Sequence, residues 1–248
     1  MSLLKRAVPR PVLPPTIAGA CAACAIREMS VCSVLSAQEL NRLCSIISTT
    51  KLPAGSTVIS EGEPADDLFN VVRGSVKLFK LLPNGRRQIT GFLFAGDFLG
   101  IALNDIYAYN AEAIEPIQLC RFPRRKLEAL LGEMPKLERK LLGTTAHELA
   151  AAQDQMVLLG RKTAKERVAS FFVSLLERAA KRGQAGAEID IPMSRADIAD
   201  YLGLTTETVS RTITSLRRLK LIAAGARNSI SILDPAGLRM LVDGAGED

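Results

Sequence analysis

The chain carries five cysteines, and three of them, Cys21, Cys24 and Cys32, crowd into "GACAACAIREMSVCS", residues 19–33. Thiolates at such close spacing can ligate a metal or cluster, accept a lipid, or be incidental. A fourth, Cys120, lies in the strand-like "PIQLCRFP". Three thiols on an arm and one on a rigid element can clamp a cubane, and four cysteines suit a [4Fe–4S] cluster. Four thiolates also close a tetrahedral zinc site, although seven residues between Cys24 and Cys32 is loose for zinc. Unligated thiols remain the third reading. The run before Cys21, "MSLLKRAVPRPVLPPTIAGAC", starts basic and ends in small residues like a lipoprotein signal. Pro9, Arg10, Pro11, Pro14 and Pro15 interrupt any apolar helix, so a flexible proline-rich arm is expected instead.

The elements that must position these thiols follow from pattern. "SAQELNRLCSII", residues 36–47, has helical spacing with Ser36 and Glu39 set for a capping box, and Cys44 falls on its apolar face as a core residue. Residues 50–126 break into short β-rich pieces separated by Gly, Pro and Asn, with "PNG" at 83–85 marking a hairpin, and this predicts an all-β sandwich or roll. From Arg124 to Gly160 the period is helical. Leu142, Ala146, Leu149, Ala152, Met156 and Leu159 recur at steps of three and four, a seam expected to pair two copies of the chain. His147, the only histidine, is read as packed or at the surface.

The last third changes charge. Residues 31–160 hold 14 Lys/Arg against 14 Asp/Glu, whereas residues 161–234 hold 13 against 8. A basic C-terminal unit suits a polyanion. Within it, "MSRADIADYLGLTTETVSRTITSLRRLKLI", residues 193–222, reads as helix, tight turn, helix. Ser194 and Asp197 cap the first helix, whose inner face is Ile198, Ala199 and Leu202; Gly203 supplies the left-handed residue; Thr205 or Thr206 caps the second helix, whose inner stripe is Val209, Ile213 and Leu216. The opposite face presents Thr206, Glu207, Ser210 and Arg211. Arginine can donate two bonds to guanine, glutamate can accept from cytosine, and serine can bond either base or phosphate. Arg217, Arg218 and Lys220 follow where phosphate contacts are expected. "LIAAGARNSISILD" then reads as a wing of two short strands around residues 225–228.

From about residue 20 to 235 the chain resembles the CRP/FNR superfamily of bacterial transcription regulators. The resemblance rests on "PAGSTVISEGEPADDLFNVVRGSVKLFK" in the β segment and on "ETVSR", residues 207–211, in the helical one. In the FNR branch the latter pattern marks a recognition helix that reads TTGAT-type half-sites, which would make Glu207, Ser210 and Arg211 the base-reading residues. The resemblance also implies that Cys21, Cys24, Cys32 and Cys120 hold an oxygen-labile [4Fe–4S] cluster. The spacing departs from the FNR pattern, with seven residues rather than five between the second and third arm cysteines; two more loop residues add little closure entropy.

The expected class is therefore α+β. It comprises a cysteine-bearing arm over 1–35, a cyclic-nucleotide-binding-like β-roll over 36–126, a dimerisation helix over 127–160 and a winged helix-turn-helix over 161–248. Cyclic-AMP members of the superfamily carry an arginine in a phosphate cradle. The matching stretch here, "GDFLGIALNDIYAYNAEAIE", holds neither Arg nor Lys, and a buried phosphate diester without a cation is unfavourable, so no cyclic nucleotide is expected. Haem is disfavoured by the lone histidine. An odd cysteine number in a long chain suggests a reducing, cytoplasmic setting, and no apolar run reaches membrane length. No catalytic constellation is present, so an enzyme is not expected, and an electron carrier would have no use for "ETVSR". The partners implied are a palindromic duplex promoter site, a second copy of the chain, and RNA polymerase at surfaces such as the hairpin near Pro83–Arg87. A cluster-free or zinc-bearing regulator, tuned by cysteine oxidation or by its own expression level, is the closest rival.

Overall fold

A computed structural model of the chain describes residues 19–102, 105–184 and 186–244. The proline-rich run, residues 1–18, lies outside the described residues. The arm enters through two 3-10 turns, Gly19–Cys21 and Val31–Val34. Helix α1 (Ala37–Cys44) follows, and its expected capping box is formed by Ser36 and Glu39.

The β-roll alternates short strands with turns: β1 (Ser48–Leu52), β2 (Thr57–Ile59), β3 (Asp67–Arg73), β4 (Val76–Leu81), β5 (Arg87–Leu93), β6 (Phe98–Leu99), β7 (Asn110–Ala113) and β8 (Ile117–Pro123). They pair as two four-stranded sheets, β1-β8-β3-β6 and β2-β7-β4-β5. Side chains alternate across a strand, and the inward set from both sheets, including Ile59, Val71, Val76, Ala111, Ile117 and Leu119, fills the space between them. The "PNG" hairpin joins β4 to β5 in antiparallel register, Leu81 facing Arg87.

The helical run beyond the roll is two helices, α2 (Arg124–Leu131) and α3 (Pro135–Arg161), rather than one continuous dimerisation helix over 127–160. The chain breaks at residues 132–134, and Pro135 opens α3 where its missing N–H costs nothing. Along α3, Leu142 (70% exposed), Leu149 (62%) and Met156 (71%) stand seven residues apart and form one apolar stripe on the surface. Ala146 and Ala152 lie exposed beside it. Leu159 departs from the seam. It is half-buried and packs on its own subunit's helix-turn-helix core, where a Cβ at Gly203 would come within 3.2 Å of it.

Helix α4 (Ala164–Lys181), capped by a Thr163–Glu166 box, starts the C-terminal unit. Strand β9 (Glu188–Asp190), helices α5 (Arg195–Leu202) and α6 (Thr206–Arg218), strands β10 (Ile222–Ala224) and β11 (Ser229–Ile232), and α7 (Pro235–Val242) complete it. The wing is real: β10 and β11 pair antiparallel, with β9 on the far edge.

This unit is docked on the roll by apolar and ionic contacts together. Ile89, Phe92 and Phe94 join one core with Phe171 and Phe172 of α4, and the Phe92 ring lies 5.2 Å from that of Tyr201. Beside them Lys77 (8% exposed) donates to Asp197 (6% exposed) at 3.1 Å and pairs with Glu112 at 2.9 Å. Arg87 reaches Asp197 at 3.0 Å and Asp200 at 3.1 Å. Asp197 also closes the α5 capping box with Ser194, so one carboxylate caps a helix and ties two domains.

Burial alone would raise the Asp197 carboxyl, but Ser194 and Lys77 outweigh it and hold it below its usual value of 3.8. A depressed carboxyl contributes stability above the unfolded value, and that contribution is lost as pH falls through the folded one. Asp197→Ala is expected to lower the unfolding free energy by about 2–3 kcal/mol near neutral pH, through the lost cap and the half-paired buried lysine. In urea titrations the gap to the native chain should shrink as pH is taken below 3.8.

Candidate functional site

The recognition surface is built from local signals. Ser194 Oγ accepts from the Asp197 N–H at 3.0 Å and starts α5. Gly203 ends it at φ 62°, ψ 39°, a left-handed conformation in which a side chain is strained. Of the two expected caps it is Thr205 that starts α6, its Oγ1 accepting from the Thr208 N–H at 3.1 Å. Val209, Ile213 and Leu216 are buried against α4 and α5, as their spacing implies. The opposite face leaves Thr206, Glu207, Ser210, Arg211, Arg217 and Arg218 exposed. Glu207 and Arg211 lie 3.7 Å apart, and Ser210 Oγ donates to the Thr206 carbonyl at 2.9 Å. An open, convex helix face with its polar groups held only by each other can exchange those contacts for base edges.

The second site gathers thiols from three parts of the chain. Strand alternation sends Ile117 and Leu119 of β8 into the roll, and Cys120 with Phe122 to the outer face, opposite Thr49 and Asn70. The arm docks on that outer face. Ser30, almost wholly buried, accepts from the Cys32 N–H at 3.2 Å and donates to the Arg27 carbonyl at 3.1 Å, which fixes the turn bearing Cys32. Met29 rests on the turn before β6; a Cβ at Gly96, where φ is 98°, would come within 3.2 Å of the Met29 Cβ. Cys32 and Cys120 both pack on the hydrophobic cluster that holds Val31, Leu43, Phe98 and Phe122.

The thiols feel one another. Burial pushes the Cys120 thiol up to about 11, with Cys24, Cys32 and Cys44 adding to the effect. Burial also raises Cys21, reinforced by a hydrogen bond with Cys44 and by the charges of Cys44, Cys32 and Cys120. Cys32 is raised by burial against the opposing pull of Ser30. None of the five is in a disulfide. Thiols so placed resist ionising together, and a cationic centre among them is what reverses that preference. Soft donors from the arm and a rigid strand therefore fit an iron–sulfur group. Among the described residues no three His, Cys, Asp or Glu side chains are drawn together tightly enough to hold a single metal ion.

Cys44 is the correction. The helical period places it on the apolar face of α1 beside Leu40 and Leu43, which are buried, yet Cys44 itself is half-buried and faces Cys21. Periodicity says which face of a helix is covered; it does not say that the cover at its last residue is a thiol-bearing turn. Ser30 was also missed, although a serine just before "VC" is a recognisable cap signal.

A 430 Å³ cleft lies between the arm and α3, lined by Val34, Lys136, Arg139, Lys140 and His147. Nothing in its lining resembles a catalytic group set.

Comparison with known proteins agrees with this architecture. Residues 49–133 match the cyclic nucleotide-binding domain family, and residues 166–241 match the Crp-like helix-turn-helix domain. The chain is 43% identical to the nitrogen fixation regulation protein FixK of Bradyrhizobium diazoefficiens, covering 89% of this chain and 93% of FixK. It is 36% identical to the transcriptional activator protein FnrL of Cereibacter sphaeroides, covering 94% and 95%. The solved structure of FixK2 from Bradyrhizobium japonicum superposes with a TM-score of 0.74 at 37% identity, covering 79% of this chain and 97% of FixK2. The two matched domains and these relatives, which regulate transcription, agree, and the chain belongs with them to the CRP/FNR family of DNA-binding transcription regulators, not to the enzymes.

Proposed function

We propose that this chain is an oxygen-responsive transcription activator, acting as a homodimer on TTGAT-type palindromes, with a [4Fe–4S] cluster held by Cys21, Cys24, Cys32 and Cys120. The observation that carries the reading is the packing of Cys32 and Cys120 on one cluster at the outer face of β8, with Cys21 and Cys24 near enough to feel them. FnrL is a transcriptional activator protein and FixK a nitrogen fixation regulation protein, and these relatives support the activating role. When bound, the cluster supplies a group that oxygen attacks. The protein's own part is to hold four thiolates and to make the arm's position matter elsewhere.

Several contacts support the second task. Met29 of the arm rests on Gly96, and the next residue, Asp97, accepts from the Phe94 N–H at 2.9 Å and pairs with Arg178 of α4. Arg178 also donates to the Phe92 carbonyl at 2.8 Å, and Arg178 and Arg182 both lie over the Phe94 ring. A docked arm thus bears on the same turn that α4 grips. The α3 stripe of Leu142, Leu149 and Met156 is the surface for a second copy, with Ala146 and Ala152 allowing close approach. A two-fold pair sets two copies of α6 on successive half-sites. No cyclic nucleotide enters this reading, because residues 96–115 offer the phosphate neither Arg nor Lys. The exposed Leu81 and Leu82 beside the β4–β5 hairpin tip offer a surface for RNA polymerase.

Protein purified without air should be brown, contain iron and sulfide, and bleach on exposure to oxygen. Cys24→Ser should lose the colour and the anaerobic gain in DNA binding; unchanged anaerobic binding would overturn the cluster reading. Arg211→Ala should weaken binding to a TTGAT palindrome by about 1–3 kcal/mol and relax its base preference, while Arg217→Ala should lower affinity on all sequences and reduce the salt slope by about 1. Ala152→Asp sets two like charges near each other across the stripe, so the cluster-free variant should dimerise less than the cluster-free native chain at matched concentration in sedimentation.

A further inference from the structure

One thiol at this site has no part in the cluster reading. Cys44 is the last residue of α1, and it sits half-buried directly beneath the Gly19–Cys21 turn. A Cβ at Gly19 would lie 3.4 Å from the Cys44 Sγ, so the turn's backbone rests on that sulfur. Cys21 and Cys44 are hydrogen-bonded to each other, whereas Cys32 and Cys120 act on Cys21 only through charge. The turn that carries Cys21 already rests on the Cys44 sulfur, so a disulfide between the two would strengthen a contact the fold makes. Cys21 is only 6% exposed. A small oxidant therefore meets Cys44 first.

We propose that Cys21 and Cys44 form a reversible disulfide when a peroxide reaches the cluster-free protein. The Cys44 sulfur attacks the peroxide O–O bond; with hydrogen peroxide the products are a sulfenic acid on Cys44 and one water. The Cys21 sulfur then attacks the Cys44 sulfur, the S–O bond breaks, and the Cys21 proton leaves with the hydroxide as a second water. Two thiols are oxidised by two electrons and one peroxide is reduced to two waters. A dithiol or glutathione-type reductant reverses the bond by thiol exchange. The consequence rests on the cluster reading above: the bond withdraws Cys21 from the ligand set, so an oxidised arm stays docked on α1 but cannot be refilled. It also protects Cys21 from further oxidation to a sulfinic acid, which no thiol reductant restores.

The test uses the full chain, stripped of metal with a chelator under nitrogen, treated with one equivalent of hydrogen peroxide and then alkylated. Cleavage after Arg27, Arg42 and Lys51 leaves Cys44 as the only cysteine on its peptide, separate from Cys32, while Cys21 and Cys24 share one and are told apart by fragmentation. The expected product is a Cys21–Cys44 linked pair, about 2 Da lighter than the two reduced peptides and lost on adding dithiothreitol. In a second arm, iron and sulfide are supplied after peroxide without reductant. Incorporation should fall by about tenfold in the native chain, recover with dithiothreitol, and be spared in both Cys44→Ser and Cys44→Ala. Linkage chiefly through another pair, or an equal loss of incorporation in the Cys44 variants, would overturn the proposal. A native chain that takes up no iron and sulfide even before peroxide overturns the cluster reading instead, and leaves the mapped disulfide standing on its own.

Discussion

The two faces of β8 are the constraint on which the N-terminal half of the molecule depends. The strand sits between β1 and β3, hydrogen-bonded on both edges, so its register cannot slip without exposing a core. Ile117 and Leu119 are committed to the roll interior. The same alternation leaves Cys120 and Phe122 on the outside, in a surface that needs cover. Val31, Leu43, Met134 and Leu137 supply that cover, from the arm, from α1 and from the start of α3. The arm's docking thus serves a hydrophobic seam: Val31 helps bury Phe122, and the same cluster has Cys32 and Cys120 packed against it.

What was legible in the sequence was what is local. Caps at Ser36, Thr163 and Ser194, the left-handed Gly203 and the 83–85 turn each depend on a few neighbouring residues, and each forms as its spacing implies, Thr163 being the one not singled out beforehand. Pro135 also carried a usable signal, since proline favours the first position of a helix, and it marks the break between α2 and α3 that the unbroken apolar period conceals. Long-range pairings were not legible. The order β1-β8-β3-β6 joins strands some seventy residues apart, and nothing in the composition of "STTKL" selects β8 as its partner. Lys77 and Asp197 are separated by 120 positions and read singly as a strand lysine and a capping carboxylate. Leu159 obeys the seam's spacing, yet the helix end turns it onto its own subunit.

The docking of the C-terminal unit shows how polar and apolar terms divide the work. The phenylalanines of β5 and α4 supply non-directional attraction that many relative placements could satisfy. The Lys77–Asp197–Arg87 group is directional, and a buried charge displaced from its partner is costly. Apolar contact holds the domains together; the ion pairs select one angle between them. Since Asp197 belongs to the first helix of the helix-turn-helix, that angle also sets where α6 points.

A regulator needs its signal to favour one arrangement over another, because a ligand that binds two states equally shifts neither. In the function proposed above, that difference would fall at a single turn. Residues 94–97 lie under Met29 on one side and under Arg178 and Arg182 on the other, and Asp97 is shared between the turn's own backbone and Arg178. An arm lifted from Gly96 uncovers the turn; a turn that rearranges releases the guanidinium that α4 places on Phe94. The 94–97 turn is thus the place on the roll's outer face where the arm and α4 meet the same few residues.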